Sequence, residues 1–240
     1  MIGATTLYDP IARIYDPWSR SVTEDVAFYV EQALASGGPV VELAVGTGRI
    51  AIPIARAGIR MIGVDTSPEM LRHAGEYAAA EGVGDLVDLR LGDLREPPVA
   101  ERVPLALCPF RSLLHMETEE EKQRALVAAH ELLEPGGRFI FDVFAPSQDD
   151  IEETGGRWLE REPGIEERAD WDQGSRTLSL SVRSQDVSAT FALHWLSFPE
   201  WRRLLDRAGF ELEAAYGWFD LRPFAGEEDM IFVARKIGIR

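Results

Sequence analysis

Val40-Val41-Glu42-Leu43-Ala44-Val45-Gly46-Thr47-Gly48-Arg49 reads as a short buried strand that runs into a tight glycine turn and then a helix. The turn signal Ser36-Gly37-Gly38-Pro39 precedes it, and Gly58 stops a helix expected over about 49–57. At the carboxyl edge of a parallel sheet, a strand-to-helix turn of this kind opens a crevice where ligands bind. Gly46 and Gly48 carry no side chains, so a ligand can approach the backbone closely. The helix amides there can receive a carboxylate or a phosphate. A plain connection between two elements would look the same over these ten residues.

Strand and helix patterns alternate outward from that stretch. A second strand is expected over 61–64, ending at Asp65. Ser67-Pro68-Glu69 then opens a helix with a serine cap, a proline in the first position and an acid in the first turn. It runs to about residue 81. Further strands follow over 87–91 and 103–108. Thr118 opens a helix to about residue 133, Pro135-Gly136-Gly137 stops it, and a fifth strand covers 138–143. This order predicts a doubly wound α/β fold, with a parallel sheet and helices on both faces. Over 156–195 the period changes to two: Leu178, Leu180 and Val182 alternate with Ser179, Ser181 and Arg183, and Phe191, Leu193 and Trp195 continue the pattern. An antiparallel meander is expected there. A helix over 198–208 and strands over 210–219 and 230–234 complete a mostly parallel seven-stranded sheet. Ahead of the sheet, a short amphipathic turn over 8–16 and a helix over 22–35 form a helical prelude that can act as a lid. The chain is expected to be one domain: 1–36 the lid, 37–145 the cofactor-binding core, 146–197 the insertion and 198–240 the rest of the core.

Asp65 ends the second strand, where an acid can accept hydrogen bonds from two ribose hydroxyls. It could instead cap the helix behind it, although Ser67 alone suffices for that. These features also fit a dinucleotide site, and two details separate the readings. Ala44-x-Gly46-x-Gly48 lacks a third glycine at the spacing that packs a pyrophosphate helix. Glu42, near the end of the first strand, aims an acid at the place a pyrophosphate would occupy. An anion there opposes a phosphate but tolerates an ammonium or a sulfonium.

The chain resembles the class I S-adenosylmethionine-dependent methyltransferases. The motifs are Glu42-Leu-Ala44-Val-Gly46-Thr-Gly48, Gly63-Val-Asp65-Thr-Ser-Pro-Glu-Met70-Leu, Gly92-Asp93-Leu94 and Leu133-Glu-Pro135-Gly136-Gly137, in order. The likeness runs from about Tyr8 to Ala234 and is weakest over 156–193. Within the family the chain is similar to the small-molecule branch that includes aminosugar N-methyltransferases, which the opening Tyr8-Asp-Pro-Ile-Ala-Arg-Ile-Tyr15-Asp also resembles. Ala44 stands where many members have glycine. The resemblance implies a Rossmann-like fold, S-adenosylmethionine as cofactor and S-adenosylhomocysteine as product. It implies that Asp65, with Thr66 beside it, holds the ribose, and that Asp93 accepts from the adenine amino group. The Leu94 amide would face the ring and Met70 would pack on it. The backbone from Ala44 to Gly48, with Glu42, would hold the methionine portion, and Tyr15 would cover it. Asp93 could equally be a turn residue, and Tyr15 plain core.

The resemblance also implies that the residues just after the fourth strand face the methyl group: Pro109-Phe110-Arg111-Ser112-Leu113-Leu114-His115. Arg111 could pair a substrate carboxylate or phosphate, or be ion-paired within the protein. His115 could be a general base, its pKa lying near neutrality, or a hydrogen-bonded structural residue. His194 is a further candidate, whereas His73 and His130 are expected to be structural. Trp218, Phe219 and Phe224 could wall the pocket or simply pack. Glu119-Glu120-Glu121 is expected to be a solvated helix start.

Composition narrows the partners. The net charge of -16 over 240 residues repels phosphate backbones, so no nucleic acid partner is expected. No stretch approaches membrane-spanning length and no signal peptide is seen, which points to a cytoplasmic protein acting on a small-molecule substrate. Cys108 is the single cysteine and sits in an apolar run, as a buried inert thiol would. No His/Cys cluster has metal spacing, so no metal is expected, and neither a phosphate-loop Gly-Lys-Ser/Thr nor Gly-x-Ser-x-Gly occurs. A non-catalytic S-adenosylmethionine-binding protein and a nicotinamide-dependent oxidoreductase are the alternatives. The meander could cover the site, form a homodimer contact, or both.

Overall fold

Strand β1 (Val40–Leu43) is buried at all four positions. Val41 and Leu43 enter one apolar core and Val40 the other, as the two-residue period of a strand covered on both faces requires. Parallel to it run β2 (Met61–Asp65) on one side and β4 (Val103–Cys108) on the other. Strands β3 (Val87–Leu91) and β5 (Leu133–Phe144) extend the sheet outward from these, still parallel. Strand β11 (Asp229–Lys236) pairs antiparallel with β5, and β10 (Phe210–Tyr216) antiparallel with β11. The seven-stranded order is β10-β11-β5-β4-β1-β2-β3. Because the chain winds from β1 toward β3 and then restarts at β4, the carboxyl ends of β1 and β4 flank a topological switch point. This computed structural model describes residues 8–19, 21–226 and 228–237. Residues 1–7 and 20 of the expected lid, and 227 and 238–240 of the expected core, lie outside the described residues.

Helices α4 (Pro68–Ala80) and α5 (Glu119–Leu132) begin at the caps expected from the sequence, α7 (Phe198–Arg207) begins at the expected Phe198, and α3 (Ala51–Arg56) follows Ile50 without a side-chain cap. The Ser67 hydroxyl accepts from the Met70 amide, and Thr118 with Glu121 makes a reciprocal capping box. Strands β6 (Trp158–Glu162), β7 (Ile165–Asp172), β8 (Thr177–Arg183) and β9 (Ser188–His194) form the separate antiparallel meander, in that order. The prelude comprises a 3-10 turn (Asp9–Ile11), α1 (Ala12–Ser19) and α2 (Glu24–Ser36).

Three elements differ from the sequence expectation. Strand β5 begins at Leu133, five residues early, because Pro135-Gly136-Gly137 is carried as an irregularity beside Val103 and Leu105 and does not break the strand. A Cβ on Gly137 would lie 3.1 Å from both the Pro104 and Glu134 carbonyl oxygens, so only glycine lets the strands approach there. Strand β10 stops at Tyr216, and Trp218 opens a turn whose carbonyl receives the Leu221 amide. Helix α6 (Gln148–Thr154) has one apolar side chain of any size, Ile151, and so shows no periodicity. Ser147 and Asp150 cap it.

Candidate active site

The turn after β1 places three residues in the left-handed region: Ala44 at φ 60°, Gly46 at φ 56° and Gly48 at φ 87°. The Gly46 amide donates to Asp65 Oδ2 and the Ser67 amide to Asp65 Oδ1, both at 2.9 Å. Asp65 is therefore fixed at the rim of the switch point, with lone pairs left on each oxygen. Burial raises its carboxyl pKa above the ordinary value, against the lowering effect of the Ser67, Gly46 and Thr66 amides. A Cβ on Gly46 would meet only the Tyr15 ring, at 3.9 Å, so the backbone there is bare except for that one cover. Gly48 differs. Its Cβ would press on Ile52 at 3.0 Å, and its absence serves the packing of α3 and α4, not ligand approach.

A cavity of about 300 Å³ opens at this point. Ala44, Gly46, Asp65, Thr66 and Met70 form its floor, and Asp93 and Leu94 one end. Tyr15 and Tyr8 lie above, and Phe110, Ser112, His115 and Met116 form the far wall. The structure thus brings together nine of the residues singled out by sequence: Tyr15, Ala44, Gly46, Asp65, Thr66, Met70, Asp93, Leu94 and His115. Glu42, Gly48, Pro109 and Arg111 are not among the lining residues. Pro109 contributes its carbonyl to the Ser112 hydroxyl instead. Glu42 is 2% exposed and sits behind the turn, where burial drives its carboxyl toward the neutral form against the pull of Arg49. Its Oε2 is buried without a hydrogen-bond partner. Arg111 turns away to pair with Asp229 at 2.8 Å and lies over the Phe144 ring. The aromatics of the β10–β11 turn pack elsewhere, Phe219 against Phe28 and Tyr29, and Phe224 stacked on Phe198.

At the Leu94 end, both oxygens of Asp93 accept from Arg95, which holds that carboxyl below its ordinary pKa. Arg95 also pairs with Glu121. Glu121 lines the cavity as well as capping α5, so the acidic helix start is not wholly solvated as expected.

Elsewhere in the lining the Tyr8 hydroxyl lies 2.8 Å from His115 Nε2. Phe191 of β9 stacks on the Tyr8 ring at 4.6 Å and meets His115 edge-on. The meander therefore backs the Tyr8–His115 pair through Phe191, which does not itself line the cavity. Burial, then the nearby His194 and Lys122, push His115 down to about 4, so the imidazole is neutral near pH 7. Its Nδ1 is buried without a partner. His194 bonds Thr177 Oγ1, His73 stacks near Tyr77 on α4, and His130 packs against Phe210.

The prelude is bolted to these elements. Thr47 donates to Asp16 at 2.6 Å, and the Ser67 hydroxyl donates to Asp9. Arg49, just past the glycine turn, makes a two-pronged pair with Asp25 of α2 and lies over the Phe110 ring. Phe110 and Ser112, expected in the stretch that faces the methyl group, do line the cavity, whereas the sequence gives no site role to Tyr8, Arg95 or Asp142. Arg95 follows Asp93 by two, and Asp142 is an acid inside an apolar strand; both were visible signals.

The floor and walls fit S-adenosylmethionine. Gly46 leaves the backbone open, Asp65 offers free lone pairs for ribose hydroxyls, and Met70 with Leu94 provides apolar surface for a ring. Glu42 keeps an orphaned acceptor behind the turn, where the amino-acid portion would lie. Among the described residues no group of His, Cys, Asp and Glu could hold a metal ion, and no helix is long and apolar enough to cross a membrane.

Residues 40–137 match the model of a methyltransferase domain family. The chain is 30% identical to the CcbJ methyltransferase of Streptomyces caelestis, covering 98% of this chain and 99% of that one, with a TM-score of 0.84. It is 23% identical over 252 residues to the putative methyltransferase YqeM of Bacillus subtilis, covering 98% and 96% of the two. A TM-score of 0.67 at 19% identity relates its fold to CalS10, an amino pentose methyltransferase of Micromonospora echinaspora, over 98% of this chain and all of that one.

Proposed function

The chain belongs to the S-adenosylmethionine-dependent methyltransferases, and on that premise we propose that it methylates a small molecule at nitrogen or oxygen, with an uncharged amine as the preferred acceptor. The observation that carries this reading is the Tyr8–His115 pair, which lines the same cavity as Asp65 and Asp93. The cofactor supplies an electrophilic methyl group on a sulfonium. The chain has to position, desolvate and orient the acceptor against it. An imidazole held near 4 is a poor sink for an ammonium proton but a good neutral hydrogen-bonding group. His115 and Tyr8 therefore act as an orienting pair, and the acceptor arrives with its lone pair already free. Tyr15, Phe110 and Phe191 narrow the space around them, which suits a small acceptor. The amino pentose methyltransferase of the same fold supports an amine-bearing substrate. The charge of -16 favours a basic acceptor over a polyanion.

A methyl-transfer screen over small amines, phenols and carboxylates, read by the mass gain of one methyl, tests the reading. Turnover confined to amines, rising with pH as the amine deprotonates, is the expected result. Turnover confined to carboxylates or phenols would overturn the preference for an amine, and a mass gain on none of them would overturn the small-molecule reading. His115→Ala should lower turnover and leave cofactor affinity in place. A pH profile in which the wild-type enzyme titrates near 4 and the variant loses that limb would instead make His115 the base.

A further inference from the structure

Asp142 of β5 is a buried acid, 7% exposed, that lies outside the cavity lining. It interrupts an apolar strand, and its register partner on β11 is Ile231. Two of its three bonds go to the turn that supplies Phe110 to the cavity wall, and the third goes to α2. Oδ1 accepts from the Phe110 amide at 2.8 Å and from the Tyr29 hydroxyl at 2.6 Å, and Oδ2 accepts from the Arg111 amide at 3.0 Å. Phe110 and Arg111 have φ of 58° and 62°, a conformation that side chains with a Cβ adopt rarely and here adopt twice in succession. Successive amides in such a turn converge on one point and form a cradle for an anion. The carboxylate fills it from within the protein. The turn in turn directs Phe110 into the cavity wall, edge-on to Tyr15 at 6.4 Å and beneath the Arg49 guanidinium at 4.8 Å.

We propose that Asp142 is a positioning residue for methyl transfer: its carboxylate holds Phe110 and Arg111 in the left-handed turn that sets Phe110 against the cofactor, and Tyr29 of α2 steadies the carboxylate. The inference needs the cofactor assignment and is independent of the acceptor. Only the ionised carboxyl accepts all three bonds without carrying a proton of its own. Burial pushes Asp142 up to about 6. Tyr29 and Arg111 hold it down, Asp25 of α2 pushes it up, and Arg49 and the Cys108 thiol of β4 face it too. The clamp therefore loosens within an accessible pH range.

Calorimetric titration of the full chain with S-adenosylhomocysteine between pH 5 and 7.5 tests this. Wild-type affinity should fall about tenfold from pH 7.5 to 5, in proportion to the ionised fraction of a group near 6. Asp142→Asn keeps one acceptor but turns an amide N–H toward the Arg111 N–H. It should bind weakly throughout and lose that part of the pH dependence. Hydrogen exchange at the Phe110 and Arg111 amides should quicken in parallel. Tyr29→Phe keeps the carboxylate and removes the bond that lowers its pKa, so its midpoint should move upward; this arm decides the matter if Asp142→Asn does not fold. Asp142→Asn with wild-type affinity and pH profile, or Tyr29→Phe with an unmoved midpoint, would overturn the proposal. A wild-type chain that gave no binding at any pH would instead strike at the cofactor assignment.

Discussion

Ala44 shows how a single residue bears the cost of the ligand loop. Its φ of 60° is one that a Cβ disfavours and glycine adopts freely. Ala44→Gly should therefore stabilise the protein by about 1 kcal/mol, reduced by the entropy that glycine adds to the unfolded chain. Thermal unfolding would show a higher midpoint, and a lower one would contradict the strain. Asp142 is a second such residue. Its pKa in the fold, about 6, exceeds the ordinary 3.8, so its contribution to stability is fully present below about 3.8 and is lost as pH rises through about 6. Keeping it ionised near neutrality costs about 3 kcal/mol. Asp142→Asn should then hold or raise the unfolding midpoint at pH 7.5 while cofactor affinity falls. A residue kept only for stability would give the opposite pair of results. At this scale the site was legible wherever chain order alone fixes a residue's place. Asp65 and Asp93 follow strand ends, and their side chains have little choice of direction. Glu42 and Arg111 lie off the cavity lining because a sequence gives the position along a strand or loop but not the side to which the chain turns. Two successive left-handed residues rotate Arg111 out of the wall and leave Phe110 in it.

Among elements, α2 is tied to the glycine turn by one ion pair. Asp25 is 1% exposed, and Arg49 reaches it with two bonds while also donating to the Val22 carbonyl. Truncating one partner strands the other, which typically costs about 3–5 kcal/mol, whereas replacing both with apolar groups is close to neutral. Asp25→Ala should lower the unfolding free energy by that amount in denaturant titration, and Asp25→Ala with Arg49→Met should recover most of it. Equal losses in the single and double variants would mean that the pair does not couple α2 to the turn. Most elements were readable from caps and periods. Ser67 with Pro68, Thr118 with Glu121, and the alternation from Leu178 to Trp195 each state their element plainly. The early start of β5 was not readable, because Pro135-Gly136-Gly137 has the composition of a turn and the pairing of Leu133 with Val103 ahead of it is a contact between distant strands. Helix α6 was not readable because its capping box governs a segment with almost no apolar face.

Over the whole molecule, the arrangement follows from one constraint. A sheet buried on both faces offers a ligand access only at its edges and ends, and winding in two directions leaves a gap between the ends of β1 and β4. The glycine turn, Asp65 and the Phe110 turn converge on that gap. Tyr8 and Tyr15 of the prelude line it as well, and Phe191 of the meander backs Tyr8. The parallel order was legible because short apolar strands alternate with capped helices. How the meander meets the site was not, since its alternation reveals an apolar face without revealing what covers it. That face meets Tyr8 and Trp18 through Phe191. The most direct test of the account is a titration of the purified chain with S-adenosylhomocysteine beside Asp65→Ala. One equivalent bound by the wild type, and affinity weakened about tenfold to a hundredfold in the variant, is the expected result. No heat of binding to the wild type, or equal binding by both, would contradict it.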